Sequence, residues 1–133
     1  MQLPTDVEHA VRILQHVHKH EGKLQTARNI VDATGIAYTW AMKRAAQLAE
    51  KGLLNSVLGR RGGYALGRPA DKISLYDVYK AIEGDLQISV CMESGRGCTR
   101  SDPGACGRHM FFCEMQDALI EELSETSIAD LEV

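Results

Sequence analysis

Lys51-Gly52-Leu53-Leu54-Asn55-Ser56-Val57-Leu58-Gly59-Arg60-Arg61-Gly62-Gly63-Tyr64-Ala65-Leu66 decides the fold. Leu53 to Leu58 reads as an apolar strand, Gly59 to Gly63 as a turn, and Tyr64 to Leu66 as the returning strand. The product is a hairpin whose tip carries Arg60 and Arg61 among three glycines. Glycine lets backbone approach another surface closely, and arginine suits phosphate or a narrow minor groove.

What precedes the hairpin gives it meaning. Thr26 can cap a short helix ending near Ala33, and Thr34-Gly35 is a turn. A further helix is expected over about Tyr38–Lys51, stopped by Gly52 beyond its end. Ala41, Ala45, Leu48 and Ala49 mark its inner face, while Trp40, Lys43, Arg44, Gln47 and Lys51 lie around another face. Two short helices joined by a tight turn, the second with basic and polar side chains outward, form a helix-turn-helix. Followed by a hairpin, they form a winged helix. Thr39, Trp40, Lys43, Arg44 and Gln47 are the candidates for major-groove contact, and Arg60 and Arg61 for the minor groove or phosphate.

Further upstream, Thr5-Asp6-Val7-Glu8 fits a capping box opening a helix from about Asp6 to His20. His16, His18 and His20 are placed on different faces of it, solvated and without a metal. Downstream, Ser74-Leu75-Tyr76-Asp77 is a second capping box, for a helix ending at Glu83 with Val78, Ala81 and Ile82 inward. A last helix is expected from about Pro103 to Ser124. Its apolar stripe is Phe111, Phe112, Met115, Ala118, Leu119 and Leu123. No other long segment is left to cover that stripe, so it is expected to pack on the winged domain and on a second copy of the chain, as a two-fold homodimer. The fold class is therefore mainly α with a small β-hairpin wing. The expected divisions are a DNA-binding domain over 1–84, a cysteine-rich loop over 85–109, and a dimerisation helix and tail over 103–133.

Charge agrees with a DNA-binding end. The 133 residues carry a formal net charge of -3, but unevenly. From Ala41 to Arg68, Lys43, Arg44, Lys51, Arg60, Arg61 and Arg68 face Glu50 alone, whereas Phe111 to Val133 holds acidic residues and no Lys or Arg. One end is built to meet a polyanion and the other to avoid one. No apolar run is long enough for a membrane span. No nucleophile–base pair or cofactor loop points to an enzyme.

All four cysteines, Cys91, Cys98, Cys106 and Cys113, lie in one late stretch. No secretory leader is read ahead of them, so a cytoplasmic, reducing compartment is expected, which disfavours structural disulfides. Thiols with an imidazole suit zinc, an iron–sulfur cluster or copper(I). Structural zinc prefers tight Cys-x-x-Cys pairs. Here the spacings are wide and Gly95, Gly97 and Gly104 make the chain pliable, which suits a bulkier cluster. Zinc and plain redox thiols stay open, and a metal or cluster carrier that binds no DNA is a further alternative, against which the basic 41–68 stretch argues. Asp102-Pro103 reads as a helix start that puts Cys106 in the first turn, where the helix dipole favours a thiolate. His109 and Cys113 follow at helical spacing, so Cys106, His109 and Cys113 can face one ligand.

Over nearly its whole length the chain resembles the Rrf-type, IscR/NsrR-like transcription regulators. The resemblance rests on Ala10-Val11-Arg12, Gly35-Ile36, Lys51 to Val57, the wing glycines with Tyr64, Arg68-Pro69-Ala70, Ile73 to Val78, Ala81 to Gly84, the cysteine loop, and Ile128 to Leu131. It implies a regulator, most often a repressor, that senses redox state, nitric oxide or iron–sulfur status through a bound cluster. By the resemblance Cys91, Cys98 and Cys106 match three cysteine ligands. Cys106-x-x-His109 is similar to the branch in which histidine completes a 2Fe–2S cluster, with 4Fe–4S the other type. Glu8 of the partner subunit matches an acidic ligand of other branches; Cys113 is extra to the pattern. The implied partner is double-stranded DNA with a pseudo-palindromic operator. Leu58 stands where an arginine often begins the wing, Ala37 where a capping serine is usual, and Met42 where an acidic residue is common.

Overall fold

The computed structural model describes residues 3–88 and 106–131. Cys91 and Cys98, read as cluster ligands, and Asp102-Pro103, read as a helix start, lie outside the described residues. In chain order the elements are α1 (Thr5–Lys19), α2 (Ala27–Thr34), α3 (Tyr38–Glu50), β1 (Leu54–Val57), β2 (Gly63–Leu66), α4 (Leu75–Glu83) and α5 (Gly107–Glu125). Single 3₁₀ turns stand at Ala70–Lys72 and Ala129–Leu131. The chain is a mainly helical winged helix-turn-helix with a long C-terminal helix.

Local chemistry explains most boundaries. Thr26 Oγ1 accepts from the Asn29 N–H at 3.1 Å while Asn29 Oδ1 accepts from the Thr26 N–H at 3.0 Å, which starts α2. Gly35 ends α2 at φ 71°, a left-handed value that costs glycine little. Ser74 and Asp77 cap α4 reciprocally, both bonds at 3.0 Å. The capping box expected at Thr5 is not formed. Pro4 is the N-cap residue and no side-chain cap bond is present. The Pro4 carbonyl already accepts from the N–H of Val7 at 3.0 Å and of Glu8 at 3.3 Å. The helix therefore starts one residue earlier, and Glu8 is not held by a cap. At the other end of the chain, Cys106 is the N-cap residue of α5, one place ahead of the first turn expected for it.

β1 and β2 pair antiparallel in the register Leu54↔Leu66, Asn55↔Ala65, Ser56↔Tyr64 and Val57↔Gly63. Gly62 closes the tip because a Cβ there would run into the Val57 carbonyl oxygen. Beneath the wing, one core gathers Ile13, Leu14 and Val17 of α1, Ile30 of α2, Leu48 of α3, Leu53 and Leu54 entering the hairpin, and Val78 of α4. The chain end returns to that core. Ile128 is fully buried and its N–H donates to the Ile73 carbonyl at 2.9 Å, while Gln15 Nε2 donates to the Leu131 carbonyl at 3.0 Å.

α5 meets this body mainly at its far end. Leu123 is buried, Phe112 and Leu119 are half-buried, and Phe111, Met115 and Ala118 stay exposed. The expected apolar stripe is thus only partly covered within one chain. No helix among the described residues is long and apolar enough to cross a membrane.

His16 and His20 do not point to different faces. Four residues is close to one helical turn, and their ring centroids are 4.4 Å apart. Arg44 does not project outward either. It is 4% exposed, and its Nη1 lies 3.3 Å from Asp6 Oδ2 on α1. The reason is visible in the pattern of α3, whose buried positions are Ala41, Arg44, Ala45 and Leu48. Arg44 occupies a place in the inward stripe, and Asp6 supplies the charge that lets it stay there.

Candidate nucleic-acid interface and cysteine site

Helix α3 presents Tyr38, Thr39, Trp40 and Lys43 to solvent from its first turns. Tyr38 is 62% and Trp40 53% exposed, unusual values for large aromatic side chains. Lys43 Nζ stands 5.9 Å from the Trp40 ring centroid, so cation and ring form one patch. Ala37 provides no side-chain cap, which leaves the first N–H groups of α3 for an outside acceptor. Arg60 and Arg61 are exposed at the wing tip.

Of the candidates for groove contact, the structure brings Thr39, Trp40 and Lys43 together and leaves Arg60 and Arg61 on the separate projection of the wing. It withdraws Arg44. Gln47 is half-buried, and its Oε1 has no hydrogen-bond partner among the described residues. Two participants were missed in the sequence. Tyr38 opens α3, and its exposed position follows from the same periodicity that exposes Trp40. Asp6 partners Arg44 across 38 positions of chain, and no local pattern announces such a pair.

The described part of the cysteine site is Cys106, His109 and Cys113. Cys106 is buried at the head of α5. One turn on, His109 Nε2 lies 3.5 Å from Cys113 Sγ. Among the described residues no group of three His, Cys, Asp or Glu side chains forms a metal cage. The donor set still fits a soft metal or iron–sulfur group: two thiols and an imidazole sit on one helix, and Cys91 and Cys98 precede them in the sequence. Glu8 is exposed on α1, at the edge of an apolar pocket of about 330 Å³ shared with Val11, Tyr79 and Leu123.

A helix-turn-helix whose second helix and wing both carry exposed cations defines a winged-helix DNA-binding protein. Residues 3–132 match the Rrf2 family, described as iron-dependent transcriptional regulators, and the chain belongs to that family. It is a transcription regulator and not an enzyme. It is 33% identical over 132 residues to protein aau3 of Rhizobium meliloti, spanning 98% of this chain and 84% of that protein. It is 28% identical over 133 residues to the HTH-type transcriptional regulator IscR of Erwinia tasmaniensis, spanning 98% and 78%. With NsrR of Shouchella clausii the identity is 26% over 134 residues, spanning 98% and 88%. Among solved structures, CymR (YrzC), the global cysteine regulator of B. subtilis, superposes with TM-score 0.79 at 21% identity, covering 98% of this chain and 95% of that one. T. potens IscR superposes with TM-score 0.78 at 20% identity, covering 98% and 85%.

Proposed function

We propose that the chain is a homodimeric repressor whose DNA affinity responds to redox state, nitric oxide or iron–sulfur status through an iron–sulfur cluster, of 2Fe–2S type in preference to 4Fe–4S. The supporting observation is that α4, whose Val78 lies in one core with α3 and the strands of the wing, also packs against α5, the helix headed by Cys106. Cys91, Cys98 and Cys106 would hold the cluster with His109. Glu8 of the partner subunit and Cys113 are the alternatives for the fourth position. When bound, the cluster would supply a centre that reacts with oxidants and nitric oxide.

The chain's own residues do the rest. Thr39, Trp40 and Lys43 enter a major groove, and Arg60 and Arg61 take the adjoining minor groove or its phosphates. The exposed Met110, Phe111 and Met115 of α5 pack on the same face of a second copy, which sets the spacing of two α3 helices over a pseudo-palindromic operator. The divisions 1–84, 85–109 and 103–133 follow these tasks. The relationship to IscR and NsrR favours the cluster over the alternative, a thiol-based regulator, to which the Cys113–His109 contact would be suited.

The test is anaerobic purification with iron and acid-labile sulfide counts on wild type, Cys91→Ala, His109→Ala, Cys113→Ala and Glu8→Ala. Matched iron and sulfide, lost in Cys91→Ala, is expected, and the other variants identify the fourth ligand. A colourless protein without iron would remove the cluster while leaving the winged helix.

A further inference from the structure

Away from the DNA-facing surface and the cysteines, two imidazoles meet at the end of α1. The His16 and His20 rings are 4.4 Å apart at their centroids and tilted by 43°. Each ring has one nitrogen already committed. His16 Nε2 lies 2.7 Å from Gln25 Oε1. The orientation of the Gln25 amide follows from its other end, where Nε2 donates to the Lys23 carbonyl at 3.3 Å. An amide oxygen only accepts, so neutral His16 carries its proton on Nε2 and a lone pair on Nδ1. His20 Nδ1 lies 2.9 Å from the His16 carbonyl oxygen, again an acceptor. Its proton is therefore on Nδ1 and its lone pair on Nε2.

Both rings are thus prepared as metal-ligating histidines usually are, with one N–H anchored on an oxygen and the opposite nitrogen available. Burial, opposed by the Gln25 hydrogen bond and assisted by the nearby His20 and Lys19, lowers the pKa of His16 and favours its neutral, ligating form. His16 and His20 line a surface pocket together with Asp32, an exposed carboxylate 3.9 Å from Arg28 Nε.

We infer that His16 and His20 form a two-histidine chelate for a divalent transition metal of the nickel, copper or zinc type, completed by water. The remaining positions are open, so the site is an exchangeable one and not a closed structural centre. Imidazole donors select these ions over magnesium or calcium. The location gives the ion leverage. A metal on Nδ1 of His16 makes its Nε2–H a stronger donor to Gln25. Gln25 is paired to the wing, donating its N–H to the Tyr64 carbonyl at 2.9 Å and accepting from the Tyr64 N–H at 2.8 Å. Metal binding would tighten the joint between α1 and β2.

The test is calorimetric titration of Ni²⁺ into the full chain, purified anaerobically, beside His20→Ala, His18→Ala and Cys106→Ala. His20 is exposed, so its variant keeps the fold, and its metal-free thermal midpoint verifies that. One Ni²⁺ per chain is expected. Affinity should fall at least about tenfold in His20→Ala, the loss of one of two imidazole donors, and stay unchanged in His18→Ala and Cys106→Ala. Saturating Ni²⁺ should raise the thermal midpoint by roughly 5–10 °C in wild type and not in His20→Ala. No binding, binding undiminished in His20→Ala, or binding lost in Cys106→Ala would each overturn the assignment, the last by placing the ion among the cysteines.

Discussion

Replacing Asp6 by Ala should destabilise the protein more than replacing Arg44 by Met. Arg44 is 4% exposed, and its counter-charge is Asp6 at 3.3 Å. Its Cζ also stands 5.9 Å from the Trp40 ring centroid, and its Nε has no hydrogen-bond partner among the described residues. Asp6→Ala leaves a guanidinium buried against apolar neighbours with no carboxylate. Removing one partner of a fully buried pair costs about 3–5 kcal/mol. The Asp6 side chain is 38% exposed, so water screens part of this. A loss of about 2 kcal/mol is the reasoned value. Arg44→Met keeps the length of the apolar stem and removes the charge that needed a partner, so its cost should stay below about 1 kcal/mol. In the double variant the Asp6 substitution should cost almost nothing further. Urea unfolding followed by circular dichroism measures all four corners of the cycle. Operator binding over a salt series adds an independent readout. Lys43→Ala, present in both subunits of the proposed dimer, should lower the salt slope by about 1.8, and Arg44→Met should leave it unchanged. A stable Asp6→Ala variant, together with a reduced salt slope in Arg44→Met, would refute the reasoning and return Arg44 to the DNA-facing surface.

Three further outcomes are expected. Arg60→Ala with Arg61→Ala, four cations over the two wings of the proposed dimer, should lower the salt slope of operator binding by about 3.6 with little change in stability, and an unchanged slope would sink the wing's role. Gly62→Ala should disrupt the hairpin tip, because its Cβ meets the Val57 carbonyl; a loss of about 1–3 kcal/mol in unfolding is expected, and a neutral substitution would contradict the tip geometry. Hydrogen bonds from the Ser127 N–H, then from its hydroxyl, hold the Asp130 carboxyl below its usual range. A depressed folded value makes this contribution present above the ordinary carboxylate range and lost as pH falls through the folded value. Asp130→Asn should flatten that acid limb in a stability-against-pH series, and an unaltered limb would exclude Asp130 as its source.

Much of this protein was legible from residues close together in sequence. Thr26 with Asn29, and Ser74 with Asp77, start helices through bonds spanning three residues, so composition alone reveals them. Gly35 and Gly52 stop helices for reasons held in their own backbone, and the glycines around Arg60 and Arg61 define the turn. The relationship to a regulator family was legible for the same reason, since its signature is a string of such local devices. Pro4 shows where local signals compete. Thr5 and Glu8 fit a capping box, yet the Pro4 carbonyl takes the N–H groups of Val7 and Glu8 first.

The partnerships that cross the chain were decided by tertiary structure. A heptad-like stripe through Ala41, Arg44, Ala45 and Leu48 does mark Arg44 as inward, but burying a cation is tolerable only once α1 brings Asp6 against it. His16 and His20 share a face by spacing, whereas the state of each ring depends on Gln25, which is placed by its pairing to Tyr64. Phe111 and Met115 belong to one apolar stripe in sequence, and only the packing of α5 on α4 shows that Leu123 is covered within the chain while they are left outside. Sequence by itself determines hydrogen bonds and turns whose cost is settled within a few residues. Which charge is neutralised, which imidazole is anchored and which apolar face is left over depend on distant segments meeting, and folding settles those.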